Sequence, residues 1–362
     1  MPITLQIEPR LKTSRWLPIG SSVIAVTIAL ILGGILIAFV GGNPFATYAH
    51  IVDVGFGSLG GITDTLTKAT PLILVGLACS LAFRMKLWNI GAEGQFFIGA
   101  WAASAVVLIP LLPPGTSPFI IIPVMMIAGM LGGAAWGFIP GFLKARFKVN
   151  EVITTLMLNY IAVAWNNFWI FAVWTEGGFQ MSKVFPRESW LPRLSDLASQ
   201  IKDFRGLTLH GGFIIALIAA GVVWYIMKRS KWGYEIRLIG DNPRAAEYAG
   251  IPIKRNIVLV MMVSGALAGL AGMSEISGVV HRLQGAISPG YGFTGIIIAW
   301  LAKLNPIAVI FVSIFFGALL QAGREIQPSG IPKMIQGIVL VCLIASDFFV
   351  RYNVRIVRRT EV

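Results

Sequence analysis

The chain has 362 residues, of which 56% are hydrophobic and only 12% charged, with a mean hydropathy of +0.78. Soluble domains carry about 25% charged residues, so this composition excludes an ordinary soluble protein and indicates a polytopic membrane protein, expected to be all-α. A net charge of +13 invites nucleic acid as a partner, but in a membrane protein it first asks on which side the Lys and Arg lie.

The chain opens with Arg10, Lys12 and Arg15 ahead of an apolar run from Ile19 to Val40. That run exceeds a signal-peptide core and has no clear small-residue cleavage site, so it is expected to be a retained first helix after a cytoplasmic segment 1–18. A hydrocarbon core of about 30 Å takes about 20 apolar residues per helix, fewer where a helix is broken or re-entrant. The expected spans are 19–41, 62–83, 90–110, 119–141, 151–174, 210–227, 257–279, 291–303, 306–322 and 332–350, ten in all, several of them short.

With the N-terminus inside, 20 of the 29 Lys and Arg fall on the cytoplasmic side. They are Arg10, Lys12, Arg15, Arg84, Lys86, the cluster Lys144 to Lys148, the loop from Lys228 to Arg255, Lys303 and the C-terminal arginines 351–359. Nine fall outside: Lys68, Lys183, Arg187, Arg193, Lys202, Arg205, Arg282, Arg324 and Lys333. The bias predicts both termini in the cytoplasm. It also accounts for the basic pI without nucleic acid, since cytoplasmic loops sit beside anionic lipid.

In the third span, "NIGAEGQ" (89–95) puts Glu93 between Gly91 and Gly94. Intramembrane ionisable groups are costly and mark a functional site or a tight pair. The glycines predict a helix that starts late, with Glu93 in its first turn, favoured by free N–H groups and the macrodipole. Two compatible readings follow: a helix-start carboxylate paired with Arg84 or Lys86, or a lining of a solute path.

The fourth span carries Gly129, Gly133, Gly137 and Gly141 at four-residue spacing, a ridge on one face that lets a neighbouring helix approach closely. Gly265, Ala268, Gly269 and Gly272 make a similar ridge on 257–279. In the fifth span Glu151, Thr155, Asn159 and Asn166 form one polar stripe. The stripe either hydrogen-bonds neighbouring helices or lines a passage for a polar solute. Glu275 and Gln284 would extend an outer vestibule.

Two polar stretches interrupt the apolar pattern. The first, 175–209, mixes both charge signs and is expected to form a structured outer loop. The second, 228–256, is basic, cytoplasmic and too short for a domain of its own, so the whole chain 1–362 is expected to be a single transmembrane unit. Within it, "DNPRAAEYAGIP" reads as a two-turn helix: Asp241 or Asn242 caps, Pro243 suits the first position, and Gly250 with Pro252 stops it.

A faint repeat relates 91–101 to 290–300, with Gly91/Gly290, Ala100/Ala299 and Trp101/Trp300 in register. With opposite directions through the membrane, it would be an inverted repeat of the kind that brings two broken helices together near a substrate.

The sequence holds no G-x-x-x-x-G-K-[ST], no H-E-x-x-H and no G-x-S-x-G. Its three histidines, His50, His210 and His281, lack ligand spacing, and Cys79 and Cys342 sit in apolar runs, so no metal and no catalytic residue is expected. An ATPase activity would have to come from another chain.

The stretches "LWNIGAEGQFFIGAW", "IPGFLKARFKVNEVITTLMLNYIA", "IGDNPRAAEYAGI", "SGALAGLAGMSEISG" and "SPGYGFTGIIIAWLAKLNPIAVIFVSIFFGALL" resemble the membrane permease of bacterial ABC importers. The resemblance is to the branched-chain amino acid and ribose superfamily, nearest its nucleoside and simple-sugar branch, and runs from Leu66 to Phe349. It implies that Arg244, Ala245, Ala246, Glu247 and Gly250 dock into an ATPase subunit, and that Asn89, Glu93 and Gln95 line or gate the path, beside Thr155, Asn159 and Asn166. It also implies a second related permease, a separate ATPase that holds ATP and Mg, an extracytoplasmic solute-binding protein, and a multi-pass place in the bacterial inner membrane. Trp300 and Lys303 depart from small residues and Arg common in relatives. An ion-coupled secondary transporter is the rival reading; it would need a coupling-ion site and no ATPase dock.

Overall fold

The computed structural model describes residues 3–10, 17–109, 111–113, 115–323 and 330–358. Lys12, Arg15, Arg324 and Arg359, counted above for orientation, and Pro110, at the edge of the third expected span, lie outside these residues. The chain divides into two compact units, Met1–Ile51 with Ala322–Val362, and Val52–Gln321.

In the first unit, β1 (Ile3–Pro9) pairs antiparallel with β2 (Tyr352–Arg358), in the register Ile3↔Arg358 to Pro9↔Tyr352. The ribbon stands beside an otherwise helical chain, in keeping with the expected all-α class. Its signal was present, because Ile3 to Glu8 and Tyr352 to Ile356 alternate apolar and polar residues with the period of a strand. Helix α1 (Leu17–Phe39) packs on α13 (Ile331–Arg351). Helix α2 (Pro44–Phe56), absent from the expected spans, is capped by Asn43, whose Oδ1 accepts from Phe45 N at 3.0 Å and Ala46 N at 3.2 Å. The two stretches Val23–Phe39 and Pro44–Phe56 meet at a bend of 116°.

The larger unit is built on α3 (Leu59–Arg84), whose apolar window is 94% buried. Around it lie α4 (Ala92–Leu108), α5 (Pro118–Phe147), α6 (Glu151–Phe168), α7 (Gly212–Arg229), α8 (Lys231–Asp241), α9 (Pro243–Tyr248), α10 (Ile253–Glu275), α11 (Tyr291–Leu301) and α12 (Pro306–Ala322). Each of the ten expected spans coincides with a helix. Among the described residues, five helices are long and apolar enough to cross a bilayer: α3, α5, α7, and α6 and α10 with the π-helical turns that extend them to Val173 and Val280. The bent pair makes a sixth if it is one span, and α4, α11, α12 and part of α13 are shorter apolar helices.

The glycine ridges explain the tightest packing. A Cβ on Gly133 would lie 2.9 Å from Gly269 Cα, one on Gly141 2.9 Å from Met261 Cβ, and one on Gly129 3.0 Å from Met273 Cβ. Gly137 abuts the Met261 carbonyl, and Gly99 of α4 lies directly against Gly269. Helices α4, α5 and α10 therefore approach backbone to backbone, which gains dispersion energy where lipid offers no hydrophobic driving force.

Residues 174–211 contain no α-helix, only short 3-10 turns and bridges. Their anchor is the far end of α10. There the π turn leaves carbonyls without helical donors, and Arg193 supplies them: its Nη2 donates to Gly278 O at 2.7 Å and Val279 O at 3.1 Å. Leu191 N donates to Ser277 O at 3.1 Å and Phe185 N to His281 O at 2.8 Å. His281 stacks on Trp190 with ring centroids 3.6 Å apart.

Candidate functional site: two helix starts that meet at Glu93

Helix α3 ends where Lys86 turns left-handed, at φ 57°, and the chain runs without helix to Gly91. The first amides of α4 then need acceptors. Asn89 Oδ1 accepts from Gly91 N at 3.1 Å, and Asn159 Oδ1, reaching over from α6, accepts from Gly94 N at 2.8 Å. Asn159 Nδ2 donates back to Ile90 O at 2.9 Å. A side chain 65 residues away thus holds both sides of the break.

Asn89 and Gln95 complete each other. Asn89 Nδ2 donates to Gln95 Oε1 at 2.9 Å and to Ser264 Oγ at 2.8 Å, while Gln95 Nε2 returns a bond to Asn89 Oδ1 at 3.2 Å. Ser264 donates on to Ala78 O at 2.8 Å. This network ties α3, the α4 start and α10, and is buried throughout. Buried amides that satisfy one another hold a single geometry.

Helix α11 starts in the same way. Gly290 is left-handed at φ 104°, and Ser288 Oγ accepts from Gly290 N at 3.0 Å and Tyr291 N at 2.9 Å. The next amide, Gly292 N, donates to Glu93 Oε2 at 2.6 Å. Glu93, 7% exposed, is therefore the cap of another helix. The expected partner Arg84 instead lies 4.0 Å from Asp241, and nothing joins Glu93 to Arg84 or Lys86 among the described contacts. The reason is local: the first amides of a second helix lack helical acceptors and lie within reach of the Glu93 carboxyl, whereas Arg84 lies beside Asp241.

Glu93 and Gly292 are equivalent positions of the repeat, 199 residues apart. One carries the carboxylate and the other carries no side chain. A Cβ at Gly292 would fall 2.5 Å from Glu93 Cα, so the glycine is what lets the two helix starts touch.

The polar stripe of α6 faces this junction. Thr155, fully buried, donates to Glu151 O at 2.7 Å and packs against Gly91. Glu151 pairs with Lys144 at 2.6 Å. Asn166, two turns beyond Asn159, donates to Gln284 O at 3.2 Å. Asn89, Glu93, Gln95, Thr155 and Asn159 thus converge on the α4 start, and Asn166 stands apart from them.

Sequence reasoning missed Ser264 and Ser288, which are ordinary residues until a helix end arrives beside them. It also assigned Lys68 to the outer surface. Its ammonium lies 3.5 Å from Glu275 Oε1 and 3.5 Å from the Tyr291 hydroxyl, linking α3, α10 and the α11 start. The signal was an ionisable residue inside an expected span, the same signal that singled out Glu93. Glu275 is buried in this contact.

At the other end of the unit, α9 is short and well capped. Of the two expected caps, Asn242 acts, accepting from Arg244 N at 3.1 Å and Ala245 N at 3.2 Å. Gly250, at φ 70°, ends the helix. Arg244, Glu247 and Gly250 are exposed, Ala245 is half-buried, and Tyr248 is 95% exposed. Ala246 is buried, so that member of the expected docking set belongs to the inner face. The preceding loop is itself helical, as α8, and is pinned by Trp232 Nε1 to Asn256 Oδ1 and Asn256 Nδ2 to Glu235 Oε2, both at 2.9 Å. Among the described residues no group of three or more His, Cys, Asp or Glu could hold a metal.

What these parts belong to is decided by comparison with known proteins. Residues 61–344 match the family described as branched-chain amino acid transport system, permease component. The chain belongs to this permease family. It is 38% identical over 343 residues to a guanosine ABC transporter permease protein of Bacillus subtilis, covering 92% of this chain and 95% of that one. It is 34% identical over 366 residues to a glucose ABC transporter permease protein of Haloferax volcanii, covering 98% and 95%. To a nucleoside ABC transporter permease protein of Lactococcus lactis it is 34% identical over 332 residues, covering 89% and 88%. Each of the three organisms also has a second, more distant matching permease, at 26%, 25% and 24% identity. No solved structure matches the chain.

Proposed function

We propose that this permease is the translocation subunit of an ABC importer for a nucleoside or a simple sugar. The observation that carries the reading is the near end-to-end similarity to permeases named for guanosine, nucleosides and glucose. In this reading the chain crosses the cytoplasmic membrane ten times with both termini inside. The β1–β2 ribbon supports the last point, because paired terminal segments share one side and require an even number of crossings.

The presence of two related permeases in each of those organisms supports a heterodimer with a second permease. ATP and Mg then belong to a separate ATPase docked on the exposed face of α9, where Arg244, Glu247, Tyr248 and Gly250 are presented and the buried Ala246 seats the helix. An extracytoplasmic binding protein delivers the solute. The contact of two equivalent helix starts at Glu93 supports an inverted repeat with its broken helices at the centre. Asn89, Gln95, Thr155 and Asn159 hold that junction, which supports the reading that they stand beside the path. Alternating access would turn on whether the two starts stay together.

The test is uptake of labelled guanosine, uridine and glucose in cells that co-express the chain with its neighbouring permease, ATPase and binding protein. Uptake of one of these classes, abolished when the ATPase loses its Walker lysine, is expected. Uptake that survives that loss and collapses with the proton gradient alone overturns the reading in favour of a secondary transporter.

A further inference from the structure

Helix α9 is joined to α8 without a linker. One residue, Asn242, closes the first and opens the second: its N–H donates to Leu238 O at 2.9 Å, and its Oδ1 accepts from Arg244 N at 3.1 Å and Ala245 N at 3.2 Å. With the cap shared, a displacement of α9 is carried into α8.

Helix α8 is in turn seated on three longer helices. A Cβ on Gly233 would meet the Ile226 carbonyl oxygen of α7 and lie 2.8 Å from Met227 Cα, and one on Gly240 would meet the Arg84 carbonyl oxygen and lie 3.3 Å from Met85 Cα, at the end of α3. These neighbours are backbone, so neither seat yields by a change of rotamer. The third seat is polar. Asn256, fully buried in the first turn of α10, gives both ends of its amide to α8: Oδ1 accepts from Trp232 Nε1 and Nδ2 donates to Glu235 Oε2, both at 2.9 Å. A buried amide satisfied in this way holds one geometry.

The seats on α3 and α10 lead to the same side chain. Along α10, Ser264 lies on the buried stripe of Asn256 and Val260, about 12 Å beyond Asn256 at the rise of an α-helix. Along α3, Ala78 lies about 9 Å before Arg84, and its carbonyl accepts from Ser264 Oγ at 2.8 Å. Ser264 Oγ accepts in turn from Asn89 Nδ2 at 2.8 Å, in the network that locks the α4 start. Helix α8, the last turns of α3, Ser264 and the first turns of α10 close a four-sided frame, with α9 attached to one side and Asn89 to the opposite corner.

We propose that α8 transmits the motion of the ATPase to the helix starts at Glu93, with Gly240 and Asn256 as the positioning residues that couple it to α3 and α10. This rests on the importer reading and on α9 as the ATPase dock. A pull on α9 turns α8 on its seats and shifts the end of α3 against the start of α10. The shear reaches Ser264, whose bonds to Ala78 and Asn89 cross between the helices, and through it the Asn89 and Gln95 pair. The two-state element so biased is the contact of the two helix starts.

The test uses the full-length permease reconstituted in proteoliposomes with its neighbouring permease, ATPase and binding protein. It reads uptake per ATP hydrolysed, for whichever of labelled guanosine, uridine and glucose the wild type imports. Asn256→Ala removes both bonds to α8 and is expected to lower that ratio roughly tenfold, with ATPase co-purification unchanged and hydrolysis continuing. Trp232→Phe keeps a ring and removes only the N–H, and is expected to lower the ratio roughly fivefold; it decides the matter if Asn256→Ala does not assemble. A wild-type ratio in both variants overturns the proposal and passes the coupling to the direct link 250–252 between α9 and α10. Uptake and hydrolysis that fall together, with the ratio kept and the melting temperature lowered, would make the contacts merely structural and overturn it equally. Wild-type uptake that is independent of ATP would overturn the importer reading and this inference with it, so the two failures are told apart before any variant is made.

Discussion

Replacing Gly292 by alanine tests the junction at Glu93 with the smallest possible perturbation. The added Cβ would fall 2.5 Å from Glu93 Cα and 2.7 Å from Glu93 Cβ, and closer still to Glu93 N, whereas ordinary contact is 3.4–4 Å. The obstacle is backbone, so no rotamer relieves it and the two helix starts must part by about 1 Å. The 2.6 Å bond from Gly292 N to Glu93 would then stretch to about 3.6 Å, beyond a hydrogen bond. Leaving that buried amide unmade costs about 1–3 kcal/mol, and strain in the packed junction adds about 1–3 kcal/mol. Alanine's better helix propensity returns at most about 1 kcal/mol. The net expectation is a loss of about 1–6 kcal/mol, centred near 3, and impaired uptake.

The control is Gly221→Ala in α7, where nothing lies within 4 Å of the new Cβ and the propensity gain makes the change neutral or stabilising by up to about 1 kcal/mol. Thermal unfolding of the detergent-purified complex, followed by fluorescence and paired with uptake, compares the two. If Gly292→Ala melts and transports like Gly221→Ala, the two helix starts do not meet as described.

Glu93→Gln keeps an acceptor for Gly292 N but replaces a carboxyl oxygen by an amide and adds an NH2 that needs a partner of its own, so it should lower the melting temperature less than Gly292→Ala while still slowing uptake; unchanged melting and uptake together would refute the capping role. Gly269→Val places side-chain atoms against Gly133, Gly129 and Gly99 and should prevent recovery of monodisperse protein, a loss above about 4 kcal/mol; a normal elution profile on size-exclusion chromatography would contradict the packing. His210 is held near a pKa of about 3, first by burial and then by Arg193, His281 and Lys68, and His281 near about 4, first by burial and then by Arg193. An unfolded histidine takes up its proton below about 6.5, so the 175–210 segment is fully stable above that pH and loses stability as pH falls towards 4. Limited proteolysis of this segment should be faster at pH 5 than at pH 7.5; equal rates would show that its packing does not depend on neutral histidines.

Much of the fold was readable because membrane helices announce themselves by composition. Each of the ten expected spans coincides with a helix, and the ridge from Gly129 to Gly141 was visible because four-residue spacing needs no knowledge of the partner. The features that were missed are ones that composition cannot rank. Helix α2 is only moderately apolar, α8 is amphipathic outside the apolar runs, and the β1–β2 ribbon pairs residues some 350 positions apart. The α9 helix was legible from Asn242, Pro243 and Gly250, since capping is local chemistry, but the burial of Ala246 was not, because it depends on what lies beneath.

The sequence by itself determined that the chain lives in a membrane, where its ten most apolar helices run, that one of them starts late at Gly91, and that Glu93 is too costly there to be idle. Composition, periodicity and glycine placement act over a few residues, and a few residues suffice to read them. Only the tertiary structure decided what Glu93 holds. Its partner is the amide of Gly292, brought there by a second helix start whose own glycine leaves the space, while Asn89, Gln95, Asn159 and Ser264 lock the first. A hydrogen bond between groups 199 residues apart leaves no mark in either local stretch, so its existence rests on how α3, α4, α6, α10 and α11 pack.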